Sequence, residues 1–226
     1  MRAFINNYLE TISPLWPLIV LLFCIKKDTS MAIRILFFHY SMATLLCIVI
    51  AILSYLYIEN IIFYTVFSIT QFVTISFFFY FITKDRRQSY IIIGSAFLYM
   101  LFLPFNFTFL ETNAAFTSIS TATAALLIIL YCFLYFRERL ILVDLDNVET
   151  KRNFFIVVSF FLYYAGAFFI FLTYRTITIE GINFSDLSVR RDIGTLWGMH
   201  NIIYFISCLI SSSGLLWHMF QTKPTS

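Results

Sequence analysis

The chain has 226 residues, of which 61% are hydrophobic and only 12% charged, with a net charge of +3. Soluble domains average ~25% charged residues, so a water-soluble globular protein is excluded and an integral membrane protein with the lipid bilayer as its main partner is expected. The apolar runs are long and continuous rather than alternating, which points to helical spans and not to an outer-membrane barrel.

At ~20 residues per span plus short loops, the length fits seven helices and leaves no room for a soluble domain of ordinary size. The predicted spans are 8–25, 31–57, 61–83, 90–105, 115–136, 154–174 and 195–220. Pro14 and Pro17 fall near the start of the first, where prolines cost little because those amides lack intrahelical partners. Glu59-Asn60 reads as a tight turn, and Pro104 as the end of the fourth span. A charged segment, 137–152, separates spans five and six, and a longer loop, 175–193, precedes the last span. The whole chain is therefore read as one polytopic all-α domain, a seven-transmembrane-helix bundle. Cys24, Cys47, Cys132 and Cys208 all fall inside spans, so no disulfide framework is expected. No signal peptide is read at the N-terminus.

Seven spans put the termini on opposite sides. The side holding the first, third and fifth loops and the C-terminal tail carries eleven Lys and Arg, the other side four. Acidic residues divide six and six, so the positive-inside rule places the N-terminus outside and the C-terminus in the cytoplasm.

Polar groups inside spans are the functional candidates in this class. The last span carries Trp197 and Trp217 twenty positions apart, about 30 Å at ~1.5 Å per residue, as a pair of interfacial anchors. Along this span His200, Tyr204, Ser207, Ser211, Gly214 and His218 form one stripe at helical spacing, which should face protein rather than lipid. His218 is read as an interfacial residue. His39, Gln71 and His200 carry groups that are costly in hydrocarbon unless partnered; each is either a satisfied interhelical contact or a ligand contact. Trp197, His200, Asn201 and Tyr204 lie in the outer part of the last span, where an external ligand could enter, and with Gln71 and His39 they form the candidate ligand set. Small-residue stripes in spans two, five and six read as close helix packing.

In the charged segment, Arg137, Arg139, Lys151 and Arg152 are candidates for docking a cytoplasmic partner, and membrane-surface packing is the alternative. The 175–193 loop, with Glu180, Asp186, Arg190, Arg191 and Asp192, could cover an external pocket. Asn106-Phe107-Thr108 and Asn183-Phe184-Ser185 match the glycosylation pattern, which matters only in a eukaryotic source. The last span has no lysine for a retinal Schiff base. No acid is credited with a place inside a span, and His200 and His218 are about 27 Å apart along the helix, so a metal-dependent hydrolase is not expected. Phosphate loops, serine elbows and Cys–His pairs are missing as well. Neither enzyme activity, metal, cofactor nor nucleic-acid partner is expected.

Asn153-Phe154-Phe155, Phe160-Phe161-Leu162-Tyr163-Tyr164-Ala165-Gly166 and Leu196-Trp197-Gly198-Met199-His200-Asn201-Ile202-Ile203 together form a pattern: an aromatic sixth span with a small-Gly pair, then a last span opening on Trp, His and Asn. Over about 110 residues the chain resembles uncharacterised bacterial seven-helix membrane proteins, some of which look like the membrane sensor parts of two-component signalling kinases. The resemblance implies a sensory role in the bacterial inner membrane, with Trp197, His200 and Asn201 as matching positions. Because the chain stops at Ser226, a kinase would be a separate cytoplasmic partner. The expected function is a sensor or signalling subunit for a small or lipidic ligand arriving from outside; the alternative is a small-molecule or lipid transporter.

Overall fold

A computed structural model describes residues 8–111, 118–142, 148–179 and 187–221. The described residues are almost wholly helical. In chain order they form α1 (Leu9–Ile12), α2 (Leu15–Cys24), α3 (Met31–Tyr55), α4 (Ile61–Ile82), α5 (Arg86–Phe105), α6 (Ser118–Leu142), α7 (Val148–Ile179) and α8 (Leu187–Gln221). Six apolar helices, α3 to α8, are long and apolar enough to cross a membrane, and Leu9–Cys24 is a shorter apolar one. The chain is an all-helical, multi-pass membrane protein.

Local chemistry sets the helix ends. Pro14 and Pro17 have no N–H, so the carbonyls of Glu10 and Ser13 lose their i+4 donors and the first apolar segment divides at Ser13-Pro14. The Ser13 hydroxyl instead donates to the Leu9 carbonyl at 2.5 Å. At the end of α3, Tyr57 takes a left-handed φ of 57°. Its N–H reaches the Ser54 carbonyl at 3.2 Å and the Ile58 N–H the Leu53 carbonyl at 2.9 Å, the paired bonds of a Schellman stop with tyrosine where glycine is usual. Asp85 caps α5, accepting from the Arg87 N–H at 2.9 Å.

Pro104 does not end its helix. The chain continues through a π-helical turn, Asn106–Leu110, so the apolar segment runs from Arg86 to Leu110 rather than stopping near residue 105. Glu111 then bridges to the next element, accepting from the Asn106 amide and, at 2.7 Å, from the Ile119 N–H at the start of α6. This buries Asn106 completely, so the first glycosylation-pattern asparagine is inaccessible; Asn183 lies outside the described residues. The 175–193 loop is also much shorter than expected, because α7 extends to Ile179 and α8 begins at Leu187. Charged residues mark where a helix leaves hydrocarbon, but they do not stop its hydrogen bonding.

Neighbouring helices close a ring in the order α2, α3, α4, α6, α7, α8 and back to α2, while α5 lies outside it against α4 and α6. The tightest approach is between α7 and α8. A Cβ on Gly214 would lie 2.5 Å from the Phe155 Cβ, and one on Gly166 2.8 Å from Ile203 Cδ1. The stripe of α8 faces this interior as expected: His200, Tyr204, Ser207, Ser211, Gly214 and His218 are all buried. Inside the ring, Phe72, Phe78, Phe79, Tyr131 and Phe160 pack edge to face or tilted. Phenol groups tie helices together, with Tyr40 donating to Ser211 Oγ at 2.9 Å and Tyr131 meeting Ser95 Oγ at 2.8 Å. Phe77, Phe97, Leu98, Leu101, Phe133 and Phe169 project outward, an apolar surface suited to lipid contact.

Candidate functional site

At the end of the bundle where α1, α4, α6 and α8 begin, α8 presents Trp197 and His200 one turn apart to α4 and α7. The Trp197 ring stacks on His200 with centroids 5.2 Å apart and meets Tyr64 edge to face at 5.3 Å. Trp197 is therefore half-buried against these two rings. His200 is 3% exposed and fully satisfied. Its Nδ1 lies 3.1 Å from Asn201 Oδ1, which can only accept, and its Nε2 lies 2.9 Å from the Tyr163 hydroxyl. The ring can donate from Nδ1 to Asn201 while Nε2 shares a hydrogen bond with the Tyr163 hydroxyl. Asn201 and Tyr204 lie behind it, also buried.

In front of His200 is a void of about 30 Å³, bordered also by Gln71, Tyr163, Tyr164, Trp197 and Glu10. That is room for about one water molecule. The Gln71 carbonyl accepts from the Tyr164 hydroxyl at 2.8 Å, while its buried Nε2 has no partner among the described residues. The predicted residues Trp197, His200 and Gln71 are thus brought together, but around a space too small for an organic ligand. His39 is elsewhere. Its Nδ1 lies 2.7 Å from Thr74 Oγ1, whose own proton goes to the carbonyl of Thr70 or Gln71, and the rings of Tyr40 and Phe160 flank it.

A larger space adjoins the void and shares Glu10 and Tyr64 with it. It has a volume of about 300 Å³, bordered further by Tyr8, Thr11, Ser54 and Tyr55. Glu10 is missing from the sequence-predicted set, although the span drawn over 8–25 contains it. The available signal was a lone acid in the first turn of an apolar segment, which reads as a residue left in water. Packing of α1 against α3 and α8 buries it to 8% exposure instead.

The opposite end holds an ionic cluster. Arg152 of α7 pairs through Nη1 with Asp28 Oδ2, and His218 Nε2 of α8 lies 3.1 Å from the same oxygen. Asp28 Oδ1 accepts from the Ser30 N–H at 2.8 Å, and Arg152 Nε donates to Asn153 Oδ1 at 3.0 Å. Burial pushes the Asp28 carboxyl up, but the His218 and Ser30 hydrogen bonds and the Arg152 charge outweigh it and hold the group well below the usual carboxylate range. His218, expected at the membrane surface, is 3% exposed, and Arg152, expected on a docking face, is 1% exposed. Both are drawn in by Asp28, on a loop that sequence spacing does not connect to them.

Arg139 is buried too. Its Nη2 donates to the last carbonyl of α4, Ile82, at 3.1 Å, and its guanidinium lies 4.9 Å from the Tyr135 ring centre. Beside it Glu138 Oε1 accepts from the Lys84 N–H at 2.9 Å, so this pair fastens the α4–α5 turn onto α6. Of the four docking candidates only Arg137 is exposed, and Lys151 is half-exposed with its ammonium 5.8 Å from the Trp217 ring centre. Among the described residues no group of three or more His, Cys, Asp or Glu could hold a metal ion. All four cysteines are buried thiols. Residues 143–147 and the acids Glu180 and Asp186 lie outside the described residues, while Arg191 and Asp192 are exposed on α8. No family model, curated protein or solved structure matches the chain.

Proposed function

We propose that the chain is a sensor or signalling subunit of the bacterial cytoplasmic membrane, a seven-helix bundle whose first span is the proline-broken Leu9–Cys24. Its N-terminus lies outside; it recognises a ligand at the Glu10 end and passes the signal to a separate cytoplasmic kinase. The observation that carries this reading is polarity along the bundle. One end offers an open cavity of about 300 Å³ reached by a buried carboxylate. The core between the ends is filled with aromatic rings, and the other end presents exposed cations, Lys84, Arg86, Arg87 and Arg137. A filled core favours relay over passage. The recognition site moves outward from His200 to the Glu10 cavity, with Trp197 and His200 as its inner wall. The docking surface contracts to Arg137 and Lys151, joined by the basic α4–α5 turn, where Lys84, Gln88, Arg137 and Ile141 border a groove of about 300 Å³.

The test is photo-crosslinking in the native host from positions 137 and 151, with charge reversal at Arg86, Arg137 and Lys151 as the control. Recovery of a kinase or response regulator, lost on charge reversal, is the expected result. Crosslinks to lipid alone, with phosphorylation signalling unchanged by the reversal, would sink the sensor. One observation favours a transporter as second reading: the Asp28–Arg152–His218 cluster joins three segments where an inner gate would sit. Flux through reconstituted protein that rises when Asp28 is neutralised would select that reading.

A further inference from the structure

The carboxylate of Glu10 stands without a counter-charge. It is more than nine-tenths buried, it borders both the cavity of about 300 Å³ and the smaller void, and no cation or hydrogen-bond donor among the described residues partners it. A buried carboxylate is costly to ionise unless it is paired, and none of the described residues supplies a pair. The remaining border of the cavity is chemically selective. Tyr8, Tyr55 and Tyr64 bring three aromatic rings, and Thr11 and Ser54 bring neutral hydroxyls. None of these bordering residues carries positive charge, so nothing among them offsets the charge of an anion, and Glu10 would repel it. An inorganic divalent cation would want six or more oxygens with several carboxylates, and Glu10 is the one acid bordering the cavity. Aromatic faces attract a positive charge spread over alkyl groups, the way quaternary and alkylated ammonium ions are bound elsewhere. About 300 Å³ lies at the lower end of small-molecule sites.

We infer that this cavity is a binding site for a small monovalent organic ammonium ion, with Glu10 as counter-ion and Tyr8, Tyr55 and Tyr64 as an aromatic wall. The inference rests on the reading of the Glu10 end as the recognition end, and adds the ligand's chemical class. The cation enters beside Tyr55, which is 82% exposed at the rim. Its charge replaces the missing partner of Glu10, and its alkyl groups meet the rings. The adjoining void lets a water molecule link the ligand to the Gln71 Nε2, which has no partner among the described residues.

The experiment is thermal stabilisation and calorimetric titration of the full-length purified protein in nanodiscs. The probes are tetramethylammonium, choline and n-butylammonium up to about 10 mM, with sodium chloride at equal ionic strength and the neutral carbon isostere of choline as controls. Saturable binding of at least one ammonium probe is expected, with neither control acting. Glu10→Gln, close to the same shape, should weaken it about 30-fold or more and leave the unliganded protein at least as thermally stable. Tyr55→Leu, at the exposed rim, should weaken it about threefold without a folding defect. No saturation by any of the three probes, equal binding of the neutral isostere, equal stabilisation by sodium, or full affinity in Glu10→Gln would each overturn the inference. The binding assay needs no kinase. Ammonium binding with no crosslinked signalling partner would leave the site standing and remove the sensor; the reverse outcome would remove the site alone.

Discussion

Asp28 lies 11% exposed between the Arg152 guanidinium and the His218 imidazole, and Arg152 is 1% exposed. Breaking such a pair from one side leaves a buried charge uncompensated, which costs ~3–5 kcal/mol, whereas removing both partners costs far less. Asp28→Asn is therefore expected to lower the thermal midpoint sharply, and the double variant Asp28→Leu with Arg152→Met to recover most of the loss; unfolding in detergent followed by intrinsic fluorescence measures both. The pH dependence has a definite sign. The Asp28 carboxyl is held below its unfolded value, so its contribution is fully present above about pH 4 and is lost as pH falls toward the folded value. Wild type should show an acid limb below about pH 4 that Asp28→Asn flattens, and no change from this group between about pH 5 and 8. Glu10 is the opposite case at the residue scale, a buried acid with no described partner. Asp28 is fastened by its neighbours, and Glu10 is left open toward a cavity.

At the scale of elements, the contact between α7 and α8 depends on two glycines. The atom that a Gly214 methyl would meet is the Phe155 Cβ, which is anchored to backbone and cannot swing aside. Gly214→Ala should push the helices apart at a cost of ~1–3 kcal/mol. Gly94 in α5 has nothing within 4 Å of the same added atom, so Gly94→Ala should be neutral or stabilising by ~0.5–1 kcal/mol, since alanine restricts the unfolded chain. Equal thermal midpoints for the two variants would show that the α7–α8 approach does not limit stability. The helix ends explain why the span boundaries drift from the apolar runs. α7 and α8 carry their backbone bonding past the charges that close the hydrocarbon, and α5 passes Pro104 by widening into a π turn.

For the whole molecule, the ring of α2, α3, α4, α6, α7 and α8 with α5 outside it groups the cavity at one end and the exposed Lys84, Arg86, Arg87 and Arg137 at the other. The orientation proposed for it predicts a labelling pattern. A cysteine placed at Glu59, in the α3–α4 turn, should react with a membrane-impermeant maleimide in whole cells, and one at Arg86 only after permeabilisation. The four native thiols are buried and form a low background. Labelling of both sites from the same side would overturn the alternation of the spans, and the inverse pattern would reverse the orientation.

Much of this architecture was legible along the chain, because burial in lipid demands long apolar helices and a helix demands a 3.6-residue period. The stripe from His200 to His218 announced its own burial. Its partners were not legible. Tyr163 meets His200 and Asp28 meets Arg152 and His218 across separations that no local spacing encodes. Arg139 and Arg152 looked like a docking face because a charge in a loop reads as solvated; their burial depends on a carbonyl and a carboxylate brought in from other segments. Glu10 makes the same point from the other direction. Sequence alone determined the membrane class, the all-helical architecture and the inward face of the last helix, since these follow from composition and period. Only the tertiary structure decided which polar groups are satisfied and which are left facing a cavity, because hydrogen bonds and ion pairs between helices depend on distances that the chain order does not contain.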